Sequence, residues 1–328
     1  MKLISVLSLI IPLTLSACTS AASDSITLIT VTDHTGAETT LDKIPERIVS
    51  GYYITTSTLI ALGLSDNIIG VGKGIMDEKL CTLAAPHILD LPNTGSLKEV
   101  DFEQIMALEP DLVILSVKLK DSAQTLNGLG IKTICVDNET PELLNEMIEI
   151  IGIATNTQDI AHDLIQHSNT ALENLATTLD GVTKPTVYLA GNSDLLSTAG
   201  PLMYQHSLIE NAGAINVASG ITDNYWANIS YEQLLSYDPE YIMITPNATY
   251  DIEDVLNNEH IQSLQCIQEQ KVIKMPFTIE AWDSPVPSAY LGSLWLSSML
   301  HSDIYSYEEF TLEVNEFYQT YYGFDTTV

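Results

Sequence analysis

Positive charge is what this sequence has least of. Its 12 basic residues face 43 acidic ones, a net charge of −31 over 328 residues, and Arg47 is the only arginine. A chain so acidic repels phosphate backbones and anionic lipid surfaces, which excludes nucleic acid as a partner. Cysteine is scarce too. Beyond Cys18 stand only Cys81, Cys135 and Cys266, odd in number, widely spaced and without a CxxC pair, so neither a disulfide framework nor a cysteine metal site is indicated. Gly70, Gly72 and Gly74 alternate, yet the full GxGxxG spacing is absent, as are the P-loop and the GxSxG nucleophile elbow. Histidines are scattered as well. His162 and His167 stand five apart, too far round a helix to share a metal, and no other spacing advertises a set of ligands for one.

What is present begins with residues 1–17, where one lysine precedes an apolar run from Leu3 to Leu15 that is too short to span a bilayer. The stretch is built like a secretory signal, and its ending, Leu15-Ser16-Ala17-Cys18, resembles a bacterial lipobox, in which the signal is cut before the cysteine and that thiol is lipidated. Residues 18–25 then read as a small, polar tether between the lipid on Cys18 and a folded domain.

The rest of the chain is organised around residues 157–180, which read as one long helix. Ile160, Leu164, Ala171, Leu175 and Leu179 keep helical spacing, Asn156 is placed to cap the start, and Gly181 and Pro185 are placed to end it. About 24 residues at 1.5 Å each span about 36 Å, enough to bridge two domains. A repeated phrase supports two domains. Residues 102–115 (FEQIMALEPDLVIL) recur as residues 231–244 (YEQLLSYDPEYIMI), and each copy predicts a short helix, a turn at acidic-Pro-acidic and a buried parallel strand. The expected fold is therefore α/β, with two Rossmann-like lobes, 26–155 and 182–328, joined by a bridging helix over 156–181.

In the first lobe, residues 26–41 predict an edge hairpin with His34 in its turn, followed by strands at 47–53, 68–71, 112–117 and 132–136 and a helix opening at Ser57. Ligands of open α/β sheets bind beyond the carboxyl ends of the strands, which is where Tyr52, Tyr53, Lys73 and Lys118 fall. Two cations and two aromatics at such a site suit an anionic, partly apolar ligand. In the second lobe, a strand at 185–190 and a helix from Tyr204 precede the Tyr225-Trp226 pair, whose place in a polar loop suits stacking. A strand at 272–275, a Pro-rich loop carrying Trp282, and helices at 290–300 and 307–322 follow. Tyr204, Trp226 and Trp282 are the candidate ligand contacts of this lobe.

Taken in order, Val31-Thr-Asp33 with Gly36, Pro45-Glu-Arg-Ile-Val49, Ala61-Leu-Gly63 with Ile69-Gly-Val71, Gly95-Ser96, residues 101–113, Leu208-Ile-Glu-Asn-Ala-Gly213, and Ser284-Pro285 with the stretch to Leu300 resemble the substrate-binding lipoproteins of ABC importers for ferric siderophores, haem and cobalamin. The resemblance implies two lobes joined by one rigid helix, with ligand in a shallow cleft between them. It departs from the family where Thr56-Ser57 stands in place of the Thr-Glu common at the first helix. The implied function is a non-catalytic receptor, extracytoplasmic and anchored through Cys18, capturing an iron chelate (a ferric siderophore, haem or cobalamin-like compound) and delivering it to ABC permease subunits with their ATPase. The same resemblance implies no cofactor, a monomer, and permease docking through Glu103 and Glu232, the equivalent glutamates of the two repeats. Molybdate or a nickel chelate in the same architecture is the runner-up, and a secreted lipoprotein hydrolase using Glu280 or Asp283 beside Trp282 is the alternative of another class.

Overall fold

The structure is a computed structural model, and it describes residues 28–72, 78–222 and 225–326. The described part opens with the expected hairpin, β1 (Ile29–Thr32) antiparallel to β2 (Glu38–Leu41). Asp33 builds its turn by accepting from the Thr35 N–H at 2.8 Å and the Thr35 hydroxyl at 2.6 Å, while its other oxygen accepts from the Cys135 N–H at 2.8 Å. His34 is a turn residue, as its sequence context predicts. Its Nδ1 accepts from the Asp137 N–H at 2.7 Å, so the hairpin is tied down beside the first sheet.

That sheet is assembled from β3 (Ile48–Ser50), β4 (Ile68–Val71), β7 (Leu112–Ser116) and β8 (Thr133–Val136), all parallel, in the order β4-β3-β7-β8. A two-residue ribbon, β5 (Gly95–Ser96) with β6 (Glu99–Val100), stands beside it. Its helices are α1 (Tyr53–Ala61), α2 (Glu78–Ala84), α3 (Phe102–Leu108), α4 (Lys120–Gly128) and α5 (Pro141–Thr155). After the bridging helix α6 (Gln158–Thr178) comes a second parallel sheet, ordered β11-β9-β13-β14, from β9 (Thr186–Ala190), β11 (Ile215–Asn216), β13 (Tyr241–Ile244) and β14 (Val272–Lys274). A side ribbon pairs β10 (Ser197–Ala199) with β12 (Trp226–Asn228). The helices here are α7 (Tyr204–Asn211), α8 (Tyr231–Tyr237), α9 (Ile252–Leu256), α10 (Gln265–Gln268), α11 (Tyr290–Leu300) and α12 (Tyr307–Tyr322). No helix among the described residues is long and apolar enough to cross a membrane.

The two repeats fold alike down to their caps. Asp101 accepts from the Gln104 N–H at 2.9 Å at the start of α3, and Ser230 accepts from the Gln233 N–H at 3.2 Å at the start of α8. Each helix ends on an acidic residue in the left-handed region, Glu109 at φ 45° and Asp238 at φ 43°, just before the proline. The strands that follow, β7 and β13, are buried in the middle of their sheets, as uninterrupted apolar runs require.

Two helix starts differ from expectation. Asn156 does not open the bridging helix. It closes α5 in the left-handed region at φ 58°, and α6 starts at Gln158 behind Thr157 with no side-chain cap. Asn tolerates that conformation better than other residues with a Cβ, so an Asn between two helical patterns reads as either end. With 21 residues α6 spans about 32 Å, burying Ala161, Leu164, Ile165 and Leu175 while Ile160 stays exposed. α5 lies so close to its first turns that a Cβ on Gly152 would come within 2.7 Å of the Ala161 methyl. Helix α1, expected from Ser57, begins four residues earlier at Tyr53, which places Thr56 and Ser57 inside it. Their hydroxyls have internal partners: Thr56 is 2.8 Å from the Ser50 hydroxyl, and Ser57 donates to Glu280 Oε1 at 2.6 Å.

One apolar core runs through both halves. It joins Ile48, Leu112 and Ile114 of the first sheet, Leu59 of α1, Leu164 and Leu175 of α6, Val187 and Leu189 of the second sheet, and Phe310, Phe317 and Tyr318 of α12. At its centre lies Glu280, fully buried, whose other oxygen accepts from the Ser288 hydroxyl at 2.7 Å and the Tyr318 hydroxyl at 3.0 Å. Trp282 Nε1 donates to the Tyr318 oxygen at 3.0 Å, and the Tyr322 hydroxyl lies 2.9 Å from the Ser57 oxygen. Burial raises the Glu280 pKa against the opposing pull of its three hydrogen bonds. Replacing Glu280 by Ala removes the shared acceptor of three buried hydroxyls and opens a cavity, an expected loss of about 3 kcal/mol or more. Calorimetry should show the melting temperature falling by about 5–10 °C, with Glu280→Gln losing less than half as much because one acceptor remains.

Candidate functional site

Between the two sheets lies a cleft of about 340 Å³. The first half supplies Tyr52, Tyr53 and Ile54 after β3, Ser116 at the end of β7 and Lys118 beyond it, and Asn138 and Glu139 after β8. Opposite stand Asn192 after β9, Met203 and Gln205 at the start of α7, Tyr225 and Trp226 at β12, and the loop Asp283-Ser284-Pro285. The first wall, and Asn192 on the second, thus come from the carboxyl ends of parallel strands, while Trp226 comes from the antiparallel side ribbon and Met203 and Gln205 from the start of α7.

Of the residues expected from sequence, Tyr52, Tyr53, Lys118 and Trp226 line this cleft. Lys73 and Cys18 lie outside the described residues. Tyr204 and Trp282 do not line it, a correction with a common physical cause. Both are large rings drawn into the core, Tyr204 at 4% exposure and Trp282 at 0%, with Trp282 edge-on to Phe310 at 5.5 Å. In each case the next residue, Gln205 or Asp283, is the one that faces the cavity. Sequence reasoning also missed Asn138 and Asn192, although both follow the carboxyl ends of strands and the same rule reaches them.

Lys118 is not a free cation. Its Nζ lies 2.8 Å from Glu139 Oε1, so the anionic ligand expected from two lysines loses one of its charges within the described cleft. The aromatic side is better defined. Tyr52 packs edge-on to Tyr53 at 6.4 Å, and its hydroxyl donates to Asn138 Oδ1 at 3.4 Å. Burial first, then neighbouring acidic groups, push the Tyr52 phenol well above its ordinary pKa, which keeps it a neutral donor. Asn138 in turn donates to the Pro285 carbonyl at 3.3 Å, linking the two walls. Trp226 is 38% exposed and rests on Gly191, where a Cβ would come within 2.7 Å of the indole. Asn192 is fixed from behind by the Thr245 hydroxyl, which donates to its Oδ1 at 2.6 Å.

The floor is formed by Gln205 and Asp283, both at least nine-tenths buried. Burial pushes the Asp283 carboxyl up to about 7, against a smaller pull from its own backbone and from the Gln205 amide. Glu280, the other acid of the hydrolase alternative, is not a cleft residue but the buried acceptor in the core. Among the described residues no three His, Cys, Asp or Glu side chains gather closely enough to hold a metal. Glu103 and Glu232 lie away from the cleft, exposed in the first turns of α3 and α8. The backbone of its own helix turn and the Ser230 hydroxyl hold the Glu232 carboxyl below its ordinary pKa.

Residues 48–278 match the family model described as Periplasmic binding protein. The chain is 25% identical to the molybdate-binding protein MolA of Haemophilus influenzae, over 96% of each. It is 23% identical to the petrobactin-binding protein YclQ of Bacillus subtilis, over 72% of this chain and 76% of that one. The solved structure of MolA bound to molybdate superposes with a TM-score of 0.80 at 22% identity, covering 91% of this chain and 99% of that one, a likeness of fold.

The Asp283 carboxyl has a consequence for stability that can be measured. Its pKa is raised on folding from 3.8 to about 7, so the stability it lends is fully present below the unfolded value and is lost as pH rises towards 7. Asp283→Asn removes that dependence. Urea unfolding should find the variant level with the parent near pH 4 and more stable at pH 8, by at most about 4 kcal/mol. An advantage that does not change with pH would contradict the assignment.

Proposed function

The chain belongs to the periplasmic binding protein family, and from that premise we propose that its cleft captures a metal chelate, foremost an iron chelate, for delivery to a membrane permease. As an ABC transporter substrate-binding protein it is extracytoplasmic and non-enzymatic, and its partner is a permease. The observation that carries the proposal is the pairing of aromatic walls with neutral polar groups. Tyr52, Tyr53, Tyr225 and Trp226 offer flat apolar surface, Ser116, Asn138 and Asn192 offer uncharged hydrogen-bonding groups, and about 340 Å³ falls in the range of small-molecule sites. A bulky, partly apolar complex makes use of all of these.

A second reading, molybdate, is favoured by the full-length likeness to a protein named for binding it. Against it stands the charge of the cleft, where the described cation is already paired and a carboxyl lies on the floor. A bare oxyanion wants convergent N–H donors or free cations.

The proposal extends to architecture and anchoring. Lobes at 26–155 and 182–328 hold the ligand between them, residues 156–181 join them, and lipid on Cys18 with a tether over 18–25 secures the protein to a bacterial membrane. A Bacillus subtilis relative named as a substrate-binding lipoprotein, YvrC, 24% identical over 66% of this chain and 69% of its own length, supports the anchor. Glu103 and Glu232 are proposed as docking charges, because equivalent exposed carboxylates on the two repeats give a permease two points of orientation.

Fluorescence offers a direct test, since Trp282 and Trp295 are buried and Trp226 is the tryptophan that lines the cleft. Ferric siderophores, haem, cobalamin and molybdate should be titrated in parallel. At least one chelate should quench the emission, and Trp226→Ala should abolish the quench and weaken binding by about tenfold, or ~1.4 kcal/mol. Tighter binding of molybdate than of every chelate would overturn the proposal in favour of the second reading. For docking, the Glu103→Lys/Glu232→Lys double variant should lose whole-cell uptake while ligand affinity and melting temperature hold. Normal uptake would leave these glutamates with a helix-dipole role alone.

A further inference from the structure

Seven buried side-chain atoms of the described structure have no hydrogen-bond partner there, and two of them belong to residues that line the cleft: Gln205 Oε1 and Asp283 Oδ1. Both are acceptors. Their side chains are 4% and 3% exposed, so water reaches them poorly, and an acceptor buried without a donor is an unfavourable state that a bound group can relieve. The other five are hydroxyls of residues outside the cavity lining.

The surroundings decide what kind of group that is. Among the described cavity-lining residues no lysine or arginine is free to meet these oxygens, because Lys118 is held by Glu139 at 2.8 Å. The Gln205 amide faces the Asp283 carboxyl, so both oxygens belong to one small patch of floor. Above pH 7, where the Asp283 carboxyl is ionised, a patch of two unpaired acceptors repels an oxyanion. A protonated amine is complementary: it carries several N–H donors, and its bond to a carboxylate in a dry site is charge-assisted.

Resting on the reading of the cleft as the cargo site, the geometry points to Gln205 and Asp283 as an acceptor seat for a cationic N–H group of the ligand, a seat that also turns bare oxyanions away. The cargo class this selects is a metal chelate with a pendant protonated amine. Gln205 and Asp283 touch the ligand directly in this arrangement, and the aromatic walls take its apolar body.

The probes are a ferric trihydroxamate with a free primary amine, the same chelate with that amine acetylated, and sodium molybdate, each titrated by tryptophan fluorescence at pH 8. The parent protein should bind the free-amine chelate at least about tenfold more tightly than the acetylated one, a difference of ~1.4 kcal/mol. Asp283→Asn should erase that preference and improve molybdate binding. Gln205→Met, which removes the second acceptor at similar volume, should narrow the preference. Asp283→Asn should not lower the melting temperature at pH 8, where it removes a buried charge. Equal affinity of the parent for the two chelates overturns the seat and leaves the chelate proposal standing. Failure of both chelates to bind the parent overturns the chelate proposal instead, and the molybdate arm then decides the seat: affinity raised by Asp283→Asn keeps it, and unchanged affinity removes it.

Discussion

Glu280 sits where three parts of the chain meet, and the placement of the cleft follows from how that carboxyl is satisfied. Ser57 of α1 comes from the first half, Ser288 from the loop before α11, and Tyr318 from α12, and all three donate to the same two oxygens. A carboxyl so deeply buried is tolerated only with its donors in place. The 276–289 loop is thereby pinned against both halves, and Asp283, three residues on, is delivered to the cleft floor. Because the apolar core around it is also continuous, the walls cannot separate without exposing surface that packs Leu59 and Tyr318 into one cluster.

Much of this architecture was legible in the sequence, and the reason is repetition. Residues 102–115 and 231–244 carry the same cap position, the same left-handed turn before proline and the same buried strand, so each copy checks the other. Carboxyl ends of strands were legible too, which is why Tyr52, Tyr53 and Lys118 fall in the cleft. Lys118 was misjudged as a charge because its partner Glu139 is 21 residues away, beyond any local pattern.

The other misses turn on single-residue rotations. In the loop around Trp282 and at the start of α7, an aromatic was chosen over its polar neighbour, whereas the fold buries the ring and presents the polar group. Nothing local announces that choice, since it depends on whether Phe310 and α12 lie behind the loop. Asn156 illustrates a different limit. Its side chain suits a helix start and its backbone tolerance suits a helix end, and only the presence of α5 decides between them.

The closeness of α5 and α6 at Gly152 and Ala161 bears on the mechanics of the bridge. α6 is gripped by α5 near its start, and α11 and α7 pack on it as well. In engineering language it is a beam built in at its supports, not a rod pinned at two joints. A pinned rod lets its ends swivel at little cost, whereas a built-in beam must bend along its length, and in a helix bending strains every backbone hydrogen bond on the stretched side. A bridge held this way resists any change in the width of the cleft, and the side chains that line it keep their spacing across the two walls.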